Sequence, residues 1–242
     1  MTKSIKASAQ RQGPATIWHN SGEAERPVRP VRPVPTLVAA LPSLPSPPAL
    51  PHPALTALCR LFDGVIAASS LVPNDPVLDI RDFAWTAGLR RQWRAIRDEA
   101  LAVSGPAATS RIVPLLRDGE TANRCPVATA ALGEVPGLHD AAFALLAPGA
   151  HVAMRRGATK WLLTCHLGLA VPRDGDARMR VRDRIVRWAE GETLIFDDSY
   201  PHELWNEAEG ARIVLRLRFA RPLRQPGRAV ADSLRHLLGE TA

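Results

Sequence analysis

The sequence predicts an α+β fold in which helices come first and back an antiparallel sheet or barrel. Three observations lead there. Apolar residues recur at helical spacing in two stretches before residue 105, Leu55-Leu58-Leu61-Phe62-Val65 and Trp85-Leu89-Trp93-Ile96-Leu101. Beyond Pro148-Gly149 the pattern changes to short strand-like runs, separated by turn clusters such as Pro172 to Gly175 and Glu190-Gly191. Half of the 22 prolines lie in residues 1–53. That leaves about 190 residues, enough for one well-buried domain.

Residues 1–53 read RPVRPVRPVP and then LPSLPSPPALPHP, which predicts a polyproline II or disordered leader that supplies no packed core. The domain is placed at 54–242. A first helix is predicted over 54–69. A second is predicted from a cap at Asp82 through Leu101, ended by Gly105-Pro106. From there to residue 145 the signals are mixed. Strands are predicted at 150–156, 161–171, 178–188, 193–197 and 212–219, and a terminal helix over 229–238. In the last strand Ile213, Leu215, Leu217 and Phe219 share one face; Arg212, Val214, Arg216 and Arg218 share the other. The apolar face is expected to pack, and Arg216 and Arg218 to point to solvent.

The formal charge of +7 divides unevenly. Lys3, Lys6, Arg11, Arg26, Arg29 and Arg32 against Glu23 and Glu25 give the leader +4 and the remainder +3. The surplus alone would suggest nucleic acid, but so divided, and with no RNA- or DNA-binding motif beside it, it leads to no nucleic-acid partner being expected. The leader reads first as a solvated segment and, where the barrel is a binding module, as one that docks a partner protein. Cys59, Cys125 and Cys165 are odd in number and widely spaced, which predicts reduced thiols in a cytoplasmic protein. No apolar run approaches the length of a membrane span, and the N-terminus lacks the apolar core of a secretory signal, so no membrane partner is expected.

Residues 196–219, FDDSYPHELWNEAEGARIVLRLRF, carry the most chemical information. A strand-like run from Thr193 delivers Asp197 and Asp198, and a turn through Pro201 presents His202. Ten residues later Arg212 opens another strand. A histidine and an arginine on neighbouring strands suit a pocket for a metal and a carboxylate.

This segment, with His166-Leu167-Gly168-Leu169 and Val171-Pro172 upstream, resembles the aspartyl/asparaginyl β-hydroxylase family of iron(II)/2-oxoglutarate oxygenases. Asp82 to Trp85, Cys125-Pro126, Pro136-Gly137, Ala142-Phe143, Pro148-Gly149 and Trp188 fall in family order, so the resemblance covers 77–222. It implies a double-stranded β-helix, a jelly-roll or cupin-like barrel, backed by the N-terminal helices. It also implies Fe(II), held mainly by two histidines, and 2-oxoglutarate as co-substrate. His202 matches the second iron ligand and is the metal and catalytic candidate. His166 and Arg212 match residues that contact the co-substrate, and His166 is a further catalytic candidate. Where the resemblance expects the first histidine, six residues after Gly149, stands Arg155. Arginine offers no lone pair and adds a positive charge beside a cation. Thr164 and Ala144 likewise stand where the family has an arginine and a serine.

Functions of different classes follow. One is an oxygenase hydroxylating an Asp/Asn-type side chain or related acyl unit, with a replacement ligand for iron. Another needs no metal and binds a carboxylate, another anion or a peptide through Arg155 and Arg212, aided by Arg156 or Lys160. A third is a metal-independent enzyme that uses His166 or His202 as acid or base beside Arg155. In each the ligand is a small molecule or a peptide. His151, four residues before Arg155, is read as sharing its strand face roughly 13 Å away.

Overall fold

The computed structural model describes residues 53–237 except 106, 107 and 117; the expected leader, apart from Pro53, lies outside the described residues. Helix α1 (Pro53–Ala68) opens on a proline, whose fixed φ and missing N–H suit the first helical position. Its Ile66 is buried with Trp161, Leu162, and Ala231 and Leu234 of the terminal helix α5 (Gly227–Leu237). After the short strand β1 (Val77–Leu78) the chain makes a 3-10 turn over Ile80–Asp82. The predicted cap at Asp82 is corrected here. Asp79 caps the turn by accepting from the Arg81 amide at 2.9 Å, and α2 (Thr86–Ser104) starts only after Trp85. Gly105, at φ +60°, ends α2 as expected.

The mixed stretch holds β2 (Arg111–Pro114), two short helices α3 (Gly119–Arg124) and α4 (Pro126–Leu132), and β3 (Leu138–Leu146). Both helices are too short for a periodic signature, and the second half of β3 is buried on both faces, so it shows no alternation. Helix α4 is capped from a distance. The first free amides, Val127 and Ala128, donate to the Glu99 carboxylate of α2 at 2.8 and 2.9 Å.

Seven further strands follow: β4 (His151–Arg155), β5 (Leu162–Ala170), β6 (Ala177–Val181), β7 (Arg184–Arg187), β8 (Thr193–Phe196), β9 (His202–Asn206) and β10 (Arg212–Ala220). The run predicted at 178–188 is therefore a hairpin turning at Arg182-Asp183, and β9 is an addition. The strands form two antiparallel sheets, β1-β8-β5-β10-β3-β2 and β4-β9-β6-β7. From β3 to β10 the chain crosses between the sheets at every step except the β6–β7 hairpin, which is jelly-roll connectivity.

Each face of the large sheet has its own core. Outside, Leu167, Leu169, Ile213, Leu215, Leu217 and Phe219 pack on Leu89, Ile96, Ala128 and Leu132 of α2 and α4. Inside, Ala144, Leu146, Phe196 and Val214 meet Met179, Val181 and Leu204 of the small sheet. With both faces covered, the arginine face of β10 has no solvent to point to. Arg216 and Arg218, expected outside, line the barrel with 15% and 16% of their side chains exposed.

Candidate ligand-binding site in the barrel

The site is set by a bulge. His151 pairs with Trp205, but Arg155 pairs with His202, so four steps along β4 match three along β9. The extra residue reverses the facing of β4 between its ends. Arg155 thus shares the inner face with His202. His151, expected on that same face, lies outside: its ring stacks on Trp205 at 5.3 Å, and its Nε2 is 2.8 Å from Glu203. It offers no substitute ligand to the barrel.

His202 is buried. Its Nδ1 lies 3.1 Å from the Tyr200 carbonyl, which only accepts, so Nδ1 carries the proton and neutral Nε2 keeps its lone pair. Burial lowers the His202 pKa, opposed by the Tyr200 contact and Asp198 and reinforced by Arg155. His166 on β5 is fixed the other way. The Trp188 indole N–H donates to His166 Nδ1 at 3.2 Å, which leaves Nε2–H as a donor. Burial, then Arg212, Arg216, His202 and Arg155, hold the His166 pKa well below its ordinary value. Those perturbing groups show which residues the fold gathers: all the candidates named from sequence, and Arg216 besides.

Trp188 reaches His166 because Gly168 admits a backbone crossing. A Cβ at Gly168 would lie 2.2 Å from the Ala189 carbonyl oxygen, and the Gly191 amide donates to the Gly168 carbonyl at 2.9 Å. Over the Trp188 ring sits the Arg212 guanidinium, 4.3 Å from the centroid. Arg212 is 2% exposed, and its Nε and Nη1 have no partner. Burial pushes its pKa down to about 9, so it stays charged at neutral pH.

Two more guanidinium groups are only partly answered. Arg216 donates to Asp140 at 2.8 Å and the Arg218 Nε stands 3.8 Å from Asp198, yet the Nε of each is buried without a hydrogen-bond partner. Arg218 is directly across from Thr164, so the neighbouring strand supplies a guanidinium where the resemblance expected one on β5. The Asp198 carboxylate accepts from Thr164 at 3.1 Å and is admitted by Gly157, where a Cβ would lie 2.3 Å from Oδ1. Arg155 stays open to water at the mouth while enough protein surrounds it for burial, then Arg216, to lower its pKa. Lys160, considered with the pocket, belongs elsewhere: its Nζ binds Asp197 at 2.8 Å. Among the described residues no three His, Cys, Asp or Glu side chains gather as a metal-ligating group.

The depressed histidines give a pH dependence. In the unfolded chain they bind protons near 6.5, which the folded protein refuses until lower pH. Stability is thus complete above that value and declines as pH falls below it. The melting temperature is expected to drop between pH 7.5 and 5, and His166→Gln to flatten that drop. Parallel curves for the two proteins would contradict it.

Known proteins resemble this chain in sequence over much of its length. The family model "Aspartyl/Asparaginyl beta-hydroxylase" matches residues 90–222. An ornithine lipid ester-linked acyl 2-hydroxylase from Rhizobium tropici is 32% identical over 213 residues, covering 75% of this chain and 76% of its own. The human aspartyl/asparaginyl beta-hydroxylase is 30% identical over 149 residues, 52% of this chain but only 20% of that protein. Among solved structures, the Cupin_2 domain of an XRE family transcriptional regulator from Enterobacter cloacae is 16% identical. It covers 46% of this chain and 96% of its own, with a TM-score of 0.33.

Proposed function

Because the chain belongs to the aspartyl/asparaginyl β-hydroxylase family, we propose that its barrel binds a small carboxylate-bearing ligand through arginine, without a resident iron. One observation carries this reading: Arg155 is in register with His202 on the inner face, where the resemblance implies a pair of iron-ligating histidines. The donor set does not fit Fe(II). His202 Nε2 is the one imidazole lone pair on offer, since His166 presents an N–H, and Asp198, engaged by Thr164 through Oδ2, adds only its Oδ1, short of a three-residue ligand set. A guanidinium and a divalent cation about 5 Å apart repel by roughly 7 kcal/mol at an effective dielectric near 20.

For an anion the same groups are favourable. The unpartnered Nε and Nη1 of Arg212 present two charged donors, and the Nε2–H of His166 adds a third. Arg155 at the mouth gives a second charge for the far end of a dicarboxylate. Calorimetry with 2-oxoglutarate or succinate in the presence of a chelator is expected to show binding. Arg212→Ala is expected to weaken it roughly 10- to 100-fold, the worth of a charged hydrogen-bonded pair. Binding seen only after anaerobic addition of Fe(II) would overturn the reading.

One detail favours a second reading, an iron-dependent hydroxylase of an Asp/Asn-type or acyl substrate like those named for the relatives. His202 is anchored through Nδ1 with Nε2 left free, as a metal-ligating histidine is. Fe(II)-dependent release of succinate from 2-oxoglutarate would select it.

A further inference from the structure

Arginines on the small sheet fall into two groups. On its outer face each has a carboxylate: Arg178 binds Asp176 and Glu207 at 2.8 and 2.6 Å, Arg180 binds Glu203 at 2.6 Å, and Arg187 binds Asp176 at 2.8 Å. At the end of the sheet the pattern stops. Arg155, His202, Val181 and Arg184 form one cross-strand row, continued by Arg156 after β4 and by Arg182 in the β6–β7 turn. Among the described residues none of these four arginines makes an ion pair, and Arg182 stacks over Tyr200 at 5.6 Å. The row is about 14 Å wide at ordinary strand spacing, and Asp183 is the one acid within the turn.

Exposed apolar side chains stand one residue in from the two ends of that row. Met154 on the β4 edge is 57% exposed, and Ile185 on the opposite edge, β7, is 58% exposed. Arg182 also holds φ at +56°, a conformation costly for any residue but glycine, so the turn presents an arginine where a glycine would be easier.

We propose that this end of the small sheet docks on an anionic lipid surface, with Arg156, Arg182 and Arg184 on headgroup phosphates and Met154 and Ile185 at the acyl boundary. An acidic protein would answer the arginines but gives no reason for an exposed aliphatic side chain beside the row on each edge. A bilayer interface offers phosphate and hydrocarbon within ~10 Å of one another. The sequence expectation of no membrane partner came from the lack of a span, and no described helix is long and apolar enough to cross a membrane. Peripheral docking needs no span. Because His202 and Arg155 lie in the same row, docking turns the barrel mouth towards the surface.

The test is co-sedimentation of the full chain with vesicles of phosphatidylcholine alone or mixed with phosphatidylglycerol. Partitioning is expected only on the mixed vesicles and should weaken with salt. The Arg182→Glu, Arg184→Glu double variant is expected to lower the partition coefficient roughly 10- to 100-fold. Met154→Ser with Ile185→Ser, a surface change that leaves charge and fold intact, is expected to lower it several-fold. Equal partitioning of wild type and charge-reversed protein would assign the binding to the basic leader and overturn the proposal. So would no partitioning at all, or capture by polyglutamate that is indifferent to the Met154 and Ile185 changes. Chelator-insensitive carboxylate binding in these variants should match wild type, which separates this proposal from the reading of the pocket.

Discussion

Asp197→Ala is expected to lower the melting temperature by roughly 6–20 °C, the largest stability loss anticipated for a single substitution outside the apolar core. Asp197 is fully buried. Its carboxylate accepts from Lys160 Nζ at 2.8 Å, from the Ser199 amide at 3.0 Å and from Arg221 Nη2. Arg221 in turn donates to the Lys160 carbonyl at 2.9 Å, and the Lys160 amide to Asp63 at 3.1 Å. One carboxylate therefore ties α1, the segment before β5, the turn after β8 and the end of β10. Deleting it leaves two neighbouring buried cations without the anion they are hydrogen-bonded to, a change that costs about 3–5 kcal/mol. In a domain of this size each kcal/mol moves the midpoint by about 2–4 °C. A shift below about 2 °C would show that water or a rearranged partner replaces the carboxylate. Thermal melts of Asp197→Ala beside wild type decide it.

Arg155→His is expected to create a divalent-metal site where the wild type has none. The substitution places a second imidazole in register with His202, whose Nε2 is unprotonated because burial depresses its pKa. It also removes the guanidinium that opposes a cation. Affinity for Co(II), read from its visible absorption, is expected to rise at least roughly 100-fold over wild type. Affinity for succinate in chelator should fall roughly 10- to 100-fold as the outer positive charge disappears. If Co(II) binds wild type and variant alike, Arg155 is not what keeps iron out, and the metal-free reading fails with it.

Much of this site was legible in the sequence because its residues sit in compact, unusual strings. FDDS followed by His202, and HLGL around His166, mark two strands of the barrel in the sequence alone. Arg212 was placed correctly from its position at the start of β10. Arg216 and Arg218 were not, although they alternate in phase with Arg212 and the same logic applied. Alternation says which residues share a face; it does not say whether that face meets water, and here α2 and α4 cover the other side. His151 was misplaced because a bulge is invisible to a count of residues. Its extra step appears only when β4 is laid against β9. Asp82 precedes an apolar periodic run and so reads as a helix cap; it ends the 3-10 turn instead, and the cap falls three residues later, at Trp85. The unpaired arginines at the end of the small sheet had no signal in sequence at all, since being unpaired is a property of three strands together.

Trp188 gives the barrel a built-in indicator. Its one N–H reports on His166, and its ring face carries the charge of Arg212. Whatever anion reaches Arg212 redistributes the field across that indole, and whatever protonates His166 takes away the acceptor of its N–H. Occupancy and protonation of the pocket are thus written onto a single chromophore, held in place by the crossing at Gly168. The state of the barrel can be followed by spectroscopy with no label attached and without knowing what the natural ligand is.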